Sequence, residues 1–326
     1  MWGLLIAVCL WSGASERSGA QSAHVRQLAA TLAATADELA AAGRLAEAVR
    51  TMEEAERIAP AWPELKVNLA ALRSTAGDYA GAITAARDAL RLDPTLEGAW
   101  MNLGLAQLKS GDARAAAETL GRFTGRRDAP PGARAALGLA LLLVGDAADA
   151  EHDWLAAEAA YRAALEADPA VPRGHYSLGL LLYKQRRYDE AAPALDRELV
   201  TDPSYAPALQ YRAELELDRG NADLAATWLE RLTSAAPDYA EGWRALGRAR
   251  LDEGRAADAV KALERAVELA PEDANAHFLL GRGRSATADQ AGAAAAFARA
   301  TELNQRLRDR LQRRVSGSKK GVGYRH

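Results

Sequence analysis

Proline recurs along this chain with a fixed step. Pro60 and Pro94, then Pro169, Pro203, Pro237 and Pro271, stand 34 residues apart, with one step of 75 that equals two periods plus seven. Such a period marks a chain built from copies of one supersecondary unit, each touching only its neighbours. Aligned on these prolines, eight units span 29–62, 63–96, 97–130, 131–171, 172–205, 206–239, 240–273 and 274–307, with seven extra residues inside the fourth. The register has an independent check at the twentieth position, which holds Ala48, Ala82, Ala116, Ala157, Ala191, Ala225, Ala259 and Ala293. The eighth position is always small: Ala36, Ala70, Gly104, Gly138, Gly179, Ala213, Gly247 and Gly281. Small residues there let two helices approach closely.

A hydrophobic content of 49% with only 6% aromatic residues fits alanine-rich helices packed through small side chains. Gly43, Gly77, Gly111, Gly145, Gly220 and Gly254 stand where the first helix of a pair should stop, since glycine accepts the left-handed cap conformation cheaply. Asp78, Asp112, Asp146 and Asn221 follow them, suited to turning the chain or capping the second helix. Each unit therefore reads as a helical hairpin. One hairpin cannot bury its own apolar face, so the hairpins are expected to stack into an all-α superhelix with a concave surface. Leu303, Leu307, Leu311 and Val315 predict a helix over 303–315 that covers the last repeat.

These units resemble the tetratricopeptide-repeat family, over residues 29 to 307. The seventh is the clearest, with Trp243, Leu246, Gly247, Gly254, Ala259, Leu263, Ala266 and Pro271; the third has Trp100, Leu103, Gly104, Gly111, Ala116 and Leu120. Lys66 and Arg134 in the large apolar slot, Arg212 in the leucine slot and Asp128 in the proline slot depart from the pattern. The resemblance implies a right-handed α-α superhelix of about eight repeats that binds proteins.

In this family the first helix of each pair lines the ligand groove, at slots 2, 5, 6, 9, 12 and 13. The resemblance thus implies a groove containing Asn68 and Asn102, whose amides both donate and accept and are similar to those that grip an extended peptide's backbone. In later units it implies Arg173, Tyr176, Lys184, Gln210, Tyr211, Arg244, Arg248 and Arg282, a cationic and aromatic lining suited to an acidic segment. Glu214, Asp218, Glu241 and Asp252 dilute that charge, and a plain solvated helix surface is the competing reading of both sets. Ala33 and Asp37 do not reproduce the carboxylate clamp of chaperone-binding relatives, so a chaperone tail is not the expected ligand.

No catalytic constellation competes with protein binding. The five histidines never assemble with a nucleophile and a carboxylate, and His175 and His277 fall in the large packing slot. Asp146, Asp149, Glu151 and Asp153 surround His152 without any metal-ligand spacing; the alternating alanines there suggest a helix lengthened by two turns. No cofactor, metal or small-molecule substrate is expected. A net charge of -3 gives no global field for nucleic acid, and the single Cys9 supports neither a disulfide framework nor a thiolate metal site.

The apolar run Leu4 to Trp11, followed by Ser18-Gly19-Ala20, reads as an export signal over 1–20, with residues 21–28 as a lead-in. A periplasmic or secreted location is expected, with a cytoplasmic one as the alternative. The tail over 316–326 continues a basic stretch that begins at Arg306, and membrane contact is expected only there or at the N-terminal segment. The leading expectation is a non-enzymatic adaptor for envelope complexes; the alternatives are a recruiting subunit of an enzyme complex and a self-assembling rod.

Overall fold

The computed structural model describes residues 20–125 and 131–319; the Leu4–Trp11 run with Cys9, the Asp128 slot and residues 320–326 lie outside them. The described residues form sixteen α-helices and no strands. They divide into two compact units, Met1–Gly174 and His175–His326.

The first unit holds four hairpins: α1 (Ala20–Ala41) with α2 (Leu45–Ile58), α3 (Pro63–Thr75) with α4 (Tyr79–Leu92), α5 (Glu97–Lys109) with α6 (Ala113–Thr124), and α7 (Pro131–Ala150) with α8 (Trp154–Ala167). The second holds α9 (Gly174–Lys184) with α10 (Tyr188–Thr201), α11 (Ala206–Asp218) with α12 (Ala222–Ala235), α13 (Ala240–Asp252) with α14 (Ala256–Leu269), and α15 (Ala274–Ala286) with α16 (Gln290–Lys319). Within each unit the second helix of one hairpin packs on the first helix of the next. First helices also pack on each other, α3 on α5, α5 on α7 and α13 on α15.

The turn chemistry explains the hairpins. Gly43, Gly77, Gly111, Gly220 and Gly254 all take positive φ, between 76° and 88°. Past them the chain closes by a long-range backbone bond, as in Asp112 N–H to Gln107 O at 2.9 Å, the pattern of a Schellman cap. Asp78, Asp112 and Asp153 then cap the following helices by accepting from the N–H of Gly81, Ala115 and Ala156. His152, Arg186 and Ala288 take the same left-handed turn without being glycine.

The alanine column is the seam of the core. Seven of its members have no exposed surface and Ala293 keeps 3%. Opposite it, a Cβ on Gly104 would stand 2.5 Å from Leu120, and one on Gly247 would stand 2.3 Å from Leu263. These gaps leave no room for a methyl group.

The fourth hairpin corrects two expectations. Gly145 does not end a helix, because α7 runs 20 residues to Ala150 where α5 has 13. Gly145 instead takes the small position facing the second helix: a Cβ there would meet the Tyr161 ring at 2.5 Å, sixteen residues on, as Gly104 meets Leu120. Gly138, assigned that role from sequence, faces Asp168 and Val171. The start of α7 thus keeps the register of the preceding units and its end that of the following ones. Seven residues make almost two full turns, so the extra length rotates the helix face by only about 20°.

Both chain ends also differ from the expectation. Residues 21–28 are not a lead-in but part of α1, and 316–319 belong to a helix. The 303–315 stretch is the continuation of α16; Leu303 is buried there, while Leu307 and Leu311 are each 51% exposed. Two of the residues that break the family pattern are accommodated by charge pairing. Lys66 is buried against Glu56, and Arg212 bonds Asp196 at 2.9 Å with its guanidinium 5.0 Å from the Trp228 ring centre. Arg134 lies exposed in the extended start of α7.

Candidate functional site

The face carried by the first helices is the candidate site, and each unit presents its own. In the first unit α3, α5 and α7 set half-buried Asn68 and Asn102 beside each other's helices. Asn102 donates from Nδ2 to Val67 O at 3.0 Å, so its amide ties α5 to α3. Asn68 makes no hydrogen bond to another described residue, so its amide donors and acceptor are unused among them. Along the same helices Leu105, Leu139 and Leu143 are 36%, 36% and 40% exposed. Leu139 and Leu143 share one stripe of α7 by their spacing of four. The long α7 thereby adds an apolar strip to the amide-bearing face, which the sequence reading missed; the signal was a leucine at slot 9 of the third unit.

In the second unit tyrosines gather between α9 and α11. The Tyr176 ring lies 5.1 Å from Tyr205 and 6.2 Å from Tyr211, and Tyr183 lies 5.4 Å from Tyr211. Tyr183 and Tyr188 both donate to Asp218, at 3.1 and 2.9 Å. Burial first, then the Glu214 and Asp218 carboxylates, pushes the Tyr183 phenol well above its ordinary range. Tyr211 moves up by burial and then by Glu214. Tyr239 moves up by burial and by its bond to Glu241.

Several predicted ligand contacts are already engaged within the fold. Gln210 accepts from Tyr239 Oη at 2.7 Å and donates to Glu214 at 2.8 Å. Arg244 pairs with Asp273. Arg173 lies in the turn before α9 at φ 64°, within the first unit, and Lys184 is the last residue of α9. Arg248 stays exposed with Asp252 at 3.8 Å, and Arg282 is exposed with no ion pair to another described residue. The second face is therefore aromatic and acidic over α9 and α11, and cationic over α13 and α15.

A recurring cross-hairpin pair was also missed. Arg73 bonds Glu53 at 2.8 Å and Arg284 bonds Glu264 at 2.9 Å, and Arg250 pairs with Glu230. In each case the arginine is eleventh in its unit and the glutamate stands twenty residues earlier, on the second helix before it. A second tie repeats at the large slot: Trp100 and Trp243 donate their indole N–H to Pro94 O and Pro237 O at 3.0 and 2.8 Å, and His277 Nε2 lies 3.0 Å from Pro271 O. Pro94, Pro237 and Pro271 thus each anchor the first helix that follows.

Among the described residues no three His, Cys, Asp or Glu side chains are placed to hold a metal ion. Two acids of the 146–153 stretch have local work: Asp146 accepts from Tyr161 Oη at 2.8 Å, and Asp153 caps α8. No helix among these residues is long and apolar enough to cross a membrane.

Stacked helical hairpins in each unit, with the first helices of each forming a face of its own, define a helical-repeat scaffold. A tetratricopeptide-repeat model matches residues 101–159 and 142–207, a second one matches 240–283, and the chain is a tetratricopeptide-repeat protein. No curated protein matches the sequence. Among solved structures, "MamA RS-1 ArsTM double mutant" is 22% identical with a TM-score of 0.50, over 52% of this chain and 96% of that one. "MamA 41-end from Desulfovibrio magneticus RS-1" is 23% identical with a TM-score of 0.48, over 53% and 96%. At these identities the likeness concerns the fold alone.

Proposed function

We propose that this chain is a non-catalytic adaptor that holds a segment of another protein on its first-helix faces. Tetratricopeptide repeats are protein-interaction modules, which sets the class. The observation that carries the reading is the set of first-helix side chains that the fold leaves unbonded or exposed: Asn68 with exposed Leu105, Leu139 and Leu143 in one unit, and in the other Arg282 together with Arg248, which is exposed and has only Asp252 at 3.8 Å. Surface leucines grouped with a free amide suit a segment that buries one apolar edge and bonds through its backbone. The arginines suit an acidic stretch of a partner. The partner class proposed is a protein or peptide segment, acidic where it meets the second unit, and no small molecule.

Export to the envelope is proposed as the setting, supported by the apolar Leu4–Trp11 run and the small residues before Gln21. Affinity capture from native cell envelopes tests both points. A variant carrying Asn68→Ala, Leu105→Ser, Arg248→Ala and Arg282→Ala alters exposed or half-buried positions only, so its melting temperature should stay within a few degrees of the parent. The expected result is the loss of a partner that the parent retains. An unchanged set of partners would place binding elsewhere.

A further inference from the structure

The arginine–glutamate pair that joins successive hairpins is present at the second, seventh and eighth units. The fourth and fifth carry Leu141 and Leu182 at the eleventh position, which need no partner, while the third and sixth carry other polar residues. In the third unit the eleventh residue is Gln107, and twenty residues earlier stands Arg87. In the sixth unit Glu216 replaces the arginine, but there Arg212 takes over and reaches Asp196 at 2.9 Å. Nothing takes over in the third. Gln107 is 96% buried, being 4% exposed, and its Oε1 has no hydrogen-bond partner. Arg87 is exposed and forms no ion pair with another described residue. A cavity of about 730 Å³ lies at this point between α4, α5 and α6, lined by both side chains and by Trp100.

The charges around the cavity are almost balanced. Arg91 pairs with Asp88, and Arg122 bonds Glu118 at 2.6 Å, which leaves Arg87 as one uncompensated cation. The buried carbonyl needs a donor, the guanidinium needs an anion, and the indole of Trp100 supplies an apolar wall whose own N–H is already engaged with Pro94 O. We propose that this cavity, formed with the second helices α4 and α6, is a further binding site for an acidic peptide segment. The segment's carboxylate pairs with Arg87, and a neighbouring peptide N–H donates to Gln107 Oε1. The site is separate from the first-helix face and stands whether or not that face binds a partner.

Nuclear magnetic resonance on the full chain tests this, with N-acetyl-glutamate N-methylamide as the acidic probe and N-acetyl-glutamine N-methylamide as its neutral counterpart. The acidic probe should shift the Gln107 side-chain amide and Trp100 indole signals saturably, about 5–10-fold more tightly than the neutral one, since charge-assisted hydrogen bonds are the stronger kind. Arg87→Ala should abolish that preference. The double variant Arg87→Glu with Gln107→Arg installs the pair that the preceding hairpin carries as Arg73 and Glu53. It should remove the shifts and raise the melting temperature by about 2–4 °C. Shifts that do not saturate, equal affinity for the two probes, or binding that survives Arg87→Ala unchanged would each overturn the proposal; the Arg87→Ala arm alters an exposed residue and does not depend on the double variant folding.

Discussion

Single residues set how closely the helices approach. Gly247 has Leu263 where its Cβ would be, at 2.3 Å, so Gly247→Ala forces the hairpin apart. Overpacking of that kind costs about 1–3 kcal/mol, and the better helix propensity of alanine returns at most about 1 kcal/mol. The net expectation is destabilisation by about 1–2 kcal/mol, read by denaturant unfolding. Strain runs the other way at Ala288, whose φ of 65° suits glycine; Ala288→Gly should stabilise slightly, by about 0.5–1 kcal/mol. The tyrosines give a pH signature. Their phenols keep the proton in the folded chain beyond the pH at which an unfolded tyrosine ionises, near 10, so the unfolded state binds fewer protons there and stability falls as pH rises past that value. Thermal melting between pH 9 and 11 should show a shallower decline for Tyr183→Phe than for the parent. The small-residue columns behind these effects were legible in the sequence because a buried alanine or glycine has few substitutes. The tyrosine cluster was legible only in part: Tyr176, Tyr211 and the acids Glu214 and Asp218 fall at first-helix positions, but Tyr183, Tyr188 and Tyr205 join them only through packing of α9, α10 and α11.

At the scale of the element, the sequence period announced the hairpins, and the caps explain why. Asp78, Asp112 and the left-handed glycines are local signals that work within a few residues. Gly145 misled because the same residue type serves both as a stop and as a packing gap, and only the position of Tyr161 decides between them. Deleting residues 132–138 would restore an ordinary first helix while turning its face by only about 20°, whereas a deletion of six residues would turn it by about 120°. Circular dichroism melting should find the seven-residue deletion clearly the more stable of the two. The cross-hairpin ion pairs were invisible to sequence reading, because a spacing of twenty has meaning only once the hairpins are stacked. Their strengths should differ with burial. Arg250 keeps only 10% of its side-chain surface and, besides its exposed cross-hairpin partner Glu230, bonds Glu253 of its own unit, whose side chain keeps 5%, so Arg250→Met removes both pairings and should cost about 2–3 kcal/mol. Arg284 and Glu264 are 27% and 45% exposed, and Arg284→Met should cost about 1 kcal/mol or less by the same unfolding assay.

Taken as a molecule, the chain spends most of its residues on repeating one hairpin, and what differs between copies carries the function. Its candidate positions were readable from the period, because slot numbers place side chains on one helix face. Which of them remain available was not readable: Asn102 is engaged by Val67 of the preceding repeat, and Gln210 and Arg244 by Tyr239 and Asp273, each the last residue of the same unit. The central claim is that partners are held on the first-helix faces, and site-specific photocrosslinking tests it most directly. A photoreactive residue would be placed at Leu105 and at Arg248 on those faces, and as controls at Leu155 and Val200, which are 85% and 83% exposed on second helices. The account predicts crosslinks from Leu105 and Arg248 to a partner protein in native envelopes and none to it from Leu155 or Val200. Crosslinks to that partner from the second-helix positions alone would contradict it.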